Sequence, residues 1–250
     1  MYCLGKTDIG KKRKNNQDSY KIFKSRQYIS AVVCDGMGGA KGGSVASTLA
    51  VNTYTKYIRG SLAKKSLNSF PAEEFEKILI EAVQEANRVV YERANADNTL
   101  EGMGTTLVGL LIINDNAICI NVGDSRLYKL SEDKLEQITH DHSFVQFLLD
   151  SGSITKEEAA MHPNKNIILK AIGVNEHVDC DVFVINNFDG ILLCTDGLTN
   201  LLQDNEIKNI LNDNIETEIK LDILIDIANE RGGMDNITVV YCDGKEYLNG

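Results

Sequence analysis

The stretch TTLVGLLIINDNAICINVGDSRLYKL, Thr105 to Leu130, decides the reading of the fold. It holds three successive strand-like runs: Thr105 to Ile113, Ala117 to Val122 and Ser125 to Leu130. Asn114-Asp115-Asn116 supplies a hairpin turn between the first two. The same grouping recurs outward from there. Tyr2 to Ile9 and Tyr28 to Cys34 are strand-like on the N-terminal side. Val178 to Ile185 and Gly190 to Thr195 read as a strand pair joined through Asn186 to Asp189, and Ile237 to Cys242 as a final strand. Helical patterns fall at Ser44 to Ile58, Pro71 to Ala94, Ser143 to Asp150, Thr155 to Met161, Asp204 to Leu211 and Thr217 to Glu230. Strands that come in groups, without strict alternation with helices, predict antiparallel sheets with helices packed outside. That is an α+β chain.

The clearest helix is Pro71 to Ala94. Ser69 is placed to cap it, Pro71 suits its first turn, and Glu73 and Glu74 favour its positive end. Phe75, Ile78, Leu79, Ala82, Val83, Ala86, Val89 and Val90 recur at three and four residues, one apolar stripe for packing on a sheet. Around Gly38, Gly39, Gly42 and Gly43 a loosened backbone is expected after the Asp35-Gly36 turn.

The chain has 250 residues, with 43% hydrophobic and 25% charged, which is the composition of a globular protein able to bury its own core. No linker or repeat divides it, so one domain over 1–250 is expected. Its formal charge of -10 argues against a nucleic-acid partner held by phosphate contacts. None of the six cysteines forms a C-x-x-C pair; Cys34, Cys119, Cys194 and Cys242 lie in strand-like runs and are expected as small core hydrophobes in a reducing compartment, with no disulfide. Met1 to Gly10 lacks the long apolar run of a signal peptide, and no apolar stretch is long enough to span a bilayer. A cytoplasmic monomer without membrane contact is expected.

Acidic residues in short turn-like segments beside apolar runs carry the chemistry. They are Asp18 in Arg13 to Asp18, Asp35 in Cys34-Asp35-Gly36, Asp124 in Gly123-Asp124-Ser125-Arg126, Asp196 in Thr195-Asp196-Gly197 and Asp235 in Met234-Asp235-Asn236. One Asp-Gly is ordinarily a plain turn. Several with apolar flanks suggest carboxylates gathered at strand ends, the usual way to hold a hard cation such as Mg²⁺ or Mn²⁺. Two cations sharing Asp35 would hold a bridging water for in-line attack on phosphorus. A glycine that follows such an aspartate, as in Asp35-Gly36, leaves a backbone carbonyl free to turn inward, and such carbonyls are good ligands for hard cations. Arg13, five residues before Asp18, is the best phosphate clamp. Asp18 would bind metal directly or orient metal-bound water. Other motifs fail. The glycines after Asp35 miss the G-x-G-x-x-G spacing by one place, and there is no P-loop or EF-hand. His140 and His142 are two apart, poor spacing for ligands on a helix, and read as loop or cap residues. His162 precedes Pro163 on a loop.

The set resembles the metal-dependent protein serine/threonine phosphatases of type 2C, in their bacterial single-domain form. The resemblance rests on the ordered segments Arg13 to Asp18 (R-x-x-N-Q-D), Asp35 to Gly39, Met103 to Thr106, Val122 to Arg126, Asp141 to Ser143, Thr195 to Leu198 and Gly232 to Thr238 (G-x-x-D-N-x-T). It implies a four-layer α-β-β-α sandwich of two antiparallel sheets flanked by helices. It implies that Asp35, Asp196 and Asp235 bind a first Mn²⁺ or Mg²⁺, and Asp35 with the Gly36 carbonyl a second. A third, weaker cation would use Asp124 and Asp196. Arg13 would hold the substrate phosphate, and about 148–173 would form a mobile flap beside the site. The implied reaction is hydrolysis of phosphoserine and phosphothreonine on proteins, opposing a serine/threonine kinase.

The chain departs from the family pattern at several points. Met37 stands where eukaryotic members place a proton-donating His, which leaves that proton to metal-held water. Ala40 and Ser44 replace a His and a Glu usual in bacterial members, which affects local packing. Lys170 stands where an Arg is common in the flap, with consequences for substrate preference. A phosphatase-fold binding protein without turnover would lack Asp35, Asp196 or Asp235, and all three are present. A nuclease would carry the basic and aromatic stretches this acidic chain lacks.

Overall fold

The computed structural model describes residues 1–63, 65, 67 and 71–244. Eleven strands pair antiparallel into two sheets. The first sheet holds β1 (Tyr2–Asp8), β11 (Ile237–Asp243), β10 (Gly190–Cys194), β7 (Arg126–Ser131) and β8 (Lys134–Gln137), in that order. The second holds β2 (Asp18–Lys24), β3 (Tyr28–Met37), β5 (Leu107–Ile113), β6 (Asn116–Val122) and β9 (Asp181–Asn186), and the two-residue β4 (Gly104–Thr105) pairs with β3. Alternation decides which side chains meet. Ala31, Val33, Val108, Leu110, Ile112 and Cys119 of the second sheet meet Leu127, Ile191, Leu193 and Val240 of the first in a buried layer between the sheets. The opposite face of the second sheet packs under α1 (Gly39–Leu62) and α2 (Ala72–Asn95). The opposite face of the first packs under α5 (Asp196–Thr199), α6 (Asp204–Asn212) and α7 (Thr217–Glu230). Two shorter helices, α3 (Phe144–Asp150) and α4 (Lys156–Ala160), are capped by the side chains of Ser143 and Thr155. The expected α-β-β-α sandwich is therefore found.

Several local expectations are corrected. Val178 to Ile185 and Gly190 to Thr195 are not a hairpin. β9 pairs with β6, and β10 with β7 and β11, so the turn after Asn186 carries the chain from one sheet to the other. Ile185 and Ile191 both reach the layer between the sheets, which a hairpin in either sheet would not require. Asp35 does not end its strand on a turn, because β3 runs on through Gly36 to Met37 against β4. The glycines that follow are not a loose loop, since Gly39, Gly42 and Gly43 lie in the first turns of α1. β2 and β8 carry too many charged and polar residues to stand out as apolar runs, and their partner strands reveal them. Pro71 sits just before the first residue of α2, and the Ser69 cap lies outside the described residues. The α2 stripe packs with α1 residues as well as on the sheet. Cys3 and Cys242, expected as separate thiols, face each other across β1 and β11 with their sulfurs joined. Cys34, Cys119 and Cys194 are buried free thiols, as expected.

Candidate active site

Asp18 opens β2, and its register partner across the ladder is Asp35 of β3. β10 delivers Asp196 to the start of α5, and the neighbouring β11 begins two residues after Asp235. Asp124 lies in the crossover from β6 to β7. All five acidic positions therefore come to one end of the sandwich, two from each sheet and one from between them.

The carboxylates differ in their support. Asp18 Oδ2 accepts hydrogen bonds from the hydroxyls of Thr195 (2.9 Å) and Thr238 (2.7 Å). Asp35 is held through its main chain. Its N–H donates to Thr106 Oγ1 at 2.8 Å, and its carbonyl accepts from Thr105 Oγ1 at 2.7 Å and Thr106 N–H at 2.8 Å. Asp196 Oδ2 accepts from Asn200 at 2.9 Å. Asp235 Oδ2 accepts from Arg13 Nη2 at 2.6 Å. Beneath Asp124, Arg126 forks onto Asp141 (3.0 Å from Nε, 2.7 Å from Nη2), so this arginine is committed to a structural pair.

Gathering these groups shifts their acidity. Burial, then the charges of Asp18 and Asp196, pushes the Asp35 carboxyl well above the ordinary carboxylate range. Burial is also the main cause of the rise at Asp18, to about 7 against the lowering hydrogen bonds of Thr238 and Thr195, and at Asp124, to about 8. Asp196 is raised by burial and by Asp235. The hydrogen bond that Arg13 donates to Asp235 makes Arg13 harder to deprotonate. Such a cluster stays ionised only when positive charge enters it.

Among the described residues, no three His, Cys, Asp or Glu side chains close into a ready-made metal cage. Asp235 is turned onto Arg13 and Asp196 onto Asn200. The donor set nevertheless fits hard divalent cations, because it consists of oxygens alone. Two of them, Asp18 Oδ1 and Asp196 Oδ1, are buried with no hydrogen-bond partner, which is costly unless something positive faces them. A cleft of about 800 Å³ opens beside Asp124 and Asp196, with Lys156, Lys165 and Asn166 among its walls.

A protein phosphatase 2C family profile matches residues 7–220. The chain belongs to the protein phosphatase 2C family. It is 41% identical to the serine/threonine phosphatase stp of Listeria innocua over 244 residues, 96% of this chain and 94% of that protein. The phosphatase also superposes on the Stp1 serine/threonine phosphatase of Staphylococcus aureus with a TM-score of 0.87 and 36% identity, covering 96% and 94% of the two chains. It superposes on the catalytic domain of PstP, solved with two manganese ions, with a TM-score of 0.81 and 32% identity over 97% of each chain. The protein is thus a metal-dependent protein phosphatase acting on phosphoserine and phosphothreonine. No helix among the described residues is long and apolar enough to cross a membrane.

The sequence singled out the acidic positions of this phosphatase but not what orients them. Thr195 and Thr238 were visible only as members of their motifs. Asn236 has a sharper task. Its Nδ2 donates to the carbonyls of Ile9 (2.9 Å) and Asn15 (3.1 Å), and its Oδ1 accepts from Gln17 N–H (2.8 Å). It thereby anchors both sides of the loop that presents Arg13. Nothing local in the sequence marks an asparagine for contacts more than 200 residues away.

Proposed function

We propose that Asp35, Asp196 and Asp235 hold one Mn²⁺ or Mg²⁺ of this phosphatase, and Asp35 with the Gly36 carbonyl a second. A third would be held by Asp124 and Asp196. The observation that carries this reading is the pair of buried, unpartnered oxygens, Asp18 Oδ1 and Asp196 Oδ1, inside a cluster of carboxylates with raised pKa values. When bound, two cations supply an activated water and offset charge on the phosphoryl oxygens.

The chain's own groups do the rest. Arg13 is half exposed and hinged on a loop, so its guanidinium can leave Asp235 for two oxygens of an incoming phosphate. Asp18 is locked at Oδ2 by two threonine hydroxyls, which leaves its buried Oδ1 as the unpartnered acceptor. That oxygen takes a hydrogen bond from the attacking water and fixes its direction. Met37 offers no proton, so the leaving serine or threonine oxygen would take its proton from water that bound cations hold in the site. The segment 148–173, which holds the end of α3 and the whole of α4, serves as the flap over the cleft within a single catalytic domain. Lys156 and Lys165 there supply charge for an acidic phosphoprotein segment. The marks it removes must be written by a serine/threonine kinase, most simply in the same cytoplasm.

The test is phosphate release from a phosphothreonine peptide with and without Mn²⁺, together with a calorimetric Mn²⁺ titration. Asp196→Asn is expected to lose both turnover and at least one binding event. Wild-type Mn²⁺ stoichiometry retained in Asp196→Asn would overturn the ligand assignment.

A further inference from the structure

Asp124 is presented by a turn whose geometry depends on one histidine. Gly123 adopts φ +106, a conformation that favours glycine. Its carbonyl accepts from His142 N–H at 3.0 Å, and its N–H donates to His142 Nδ1 at 3.1 Å. A backbone N–H can only donate, so Nδ1 carries no proton. The ring is therefore neutral, with its proton on Nε2, where Asp181 Oδ2 accepts it at 3.0 Å. Burial pushes the ring below the ordinary histidine value, in keeping with the neutral form.

The same residue also holds the segment beside the cleft. His142 C=O accepts from Leu169 N–H at 2.8 Å, Ser143 bridges Ile168, and Phe144 N–H donates to Ile167 C=O at 2.8 Å. His142 is buried, and its contacts run to the Asp124 turn, to 167–169 and to the start of β9.

We infer that His142 is a positioning residue: its ring pins the Gly123-Asp124 turn while its main chain carries 167–169, so that the turn and the flap segment are held as one unit. Only the metal-affinity consequence of this rests on the reading of Asp124 as a cation ligand.

The test contrasts two variants that each restore one ring nitrogen. The amide oxygen of His142→Asn reaches the place of Nδ1 and keeps an acceptor for Gly123 N–H. The longer His142→Gln reaches the place of Nε2 and leaves that buried donor unmet. His142→Gln is expected to raise about tenfold both the rate of tryptic cleavage after Lys165 or Lys170 in the metal-free protein and the Mn²⁺ concentration for half-maximal phosphate release, the scale of one unsatisfied buried hydrogen bond. His142→Asn should stay within about twofold of wild type in both, because the acceptor is retained. Asp124→Asn should shift the Mn²⁺ dependence alone. If it does not, the Asp124 reading fails, while the cleavage contrast still decides the role of His142. Equal behaviour of the Asn and Gln variants, or wild-type cleavage in His142→Gln, overturns the inference. Nitrogen NMR of the wild-type ring decides it without any variant: an unprotonated Nδ1 and a protonated Nε2 support it, and the opposite tautomer refutes it.

Discussion

Asp18→Asn should stabilise the metal-free phosphatase while abolishing its turnover. Burial raises the Asp18 carboxyl to about 7 from the ordinary 3.8. At about 1.4 kcal/mol per pH unit, keeping that group ionised costs the folded state up to about 4 kcal/mol at pH 8. The folded pKa lies above the unfolded one, so this group favours folding most below about pH 4. Its contribution is lost as pH rises from there through 7. An asparagine removes the charge and can still accept from Thr195 and Thr238. It also places an amide N–H₂ where Oδ1 meets no partner, which returns about 1–3 kcal/mol. The net gain is about 1–3 kcal/mol, or roughly 3–10 °C in Tm for a chain of this size. Thermal unfolding in EDTA at pH 8 and pH 5 measures it. At pH 5 the wild-type carboxyl is already protonated, so the gap should shrink by roughly 2–3 kcal/mol and nearly close. Saturating Mn²⁺ at pH 8 should narrow it too, because bound cations relieve the same cost. A variant less stable than wild type in EDTA at pH 8, or a gap of equal size at both pH values, would refute the reasoning.

Three further outcomes follow from the same geometry. Arg13→Ala should lower kcat/KM for a phosphothreonine peptide about 10- to 100-fold, the worth of a charge-assisted clamp, with the loss mainly in KM if the phosphate is gripped equally in ground and transition states. Thr238→Val removes a hydroxyl that stabilises the ionised Asp18, so the acid limb of the kcat–pH profile should move to higher pH; an unmoved limb would separate Asp18 from the titrating step. Gly197→Ala puts a methyl group into the Asn236 carbonyl, backbone against backbone, and should cost about 1–3 kcal/mol in denaturant unfolding as well as weakening Mn²⁺ binding through Asp196 and Asp235.

Local pattern alone identified much of this protein. The α2 stripe is a run of apolar residues at helical spacing, and the hairpin between β5 and β6 is two strand-like runs with an Asn-Asp turn between them. The five aspartates, Gly36 and Arg13 stood out because acidic and glycine-rich segments interrupt apolar runs. These signals survive because they depend on neighbours in the chain, where periodicity and turn chemistry act.

What the chain's order could not decide was partnership. β9 and β10 are four residues apart in sequence yet belong to different sheets, because burial between the sheets, not proximity along the chain, chooses their partners. Asp18 owes its fixed orientation to Thr195 and Thr238, 177 and 220 residues away. The Arg13 loop is held by Asn236, and the Asp124 turn by a ring that reads in sequence as an ordinary loop histidine. A hydrogen bond is directional and short-ranged, so which donor meets which acceptor is settled only when distant strands come into register. The sequence thus determined the inventory of reactive groups, and the tertiary structure determined which of them are held, which are left unpartnered, and therefore where a cation and a phosphate can go.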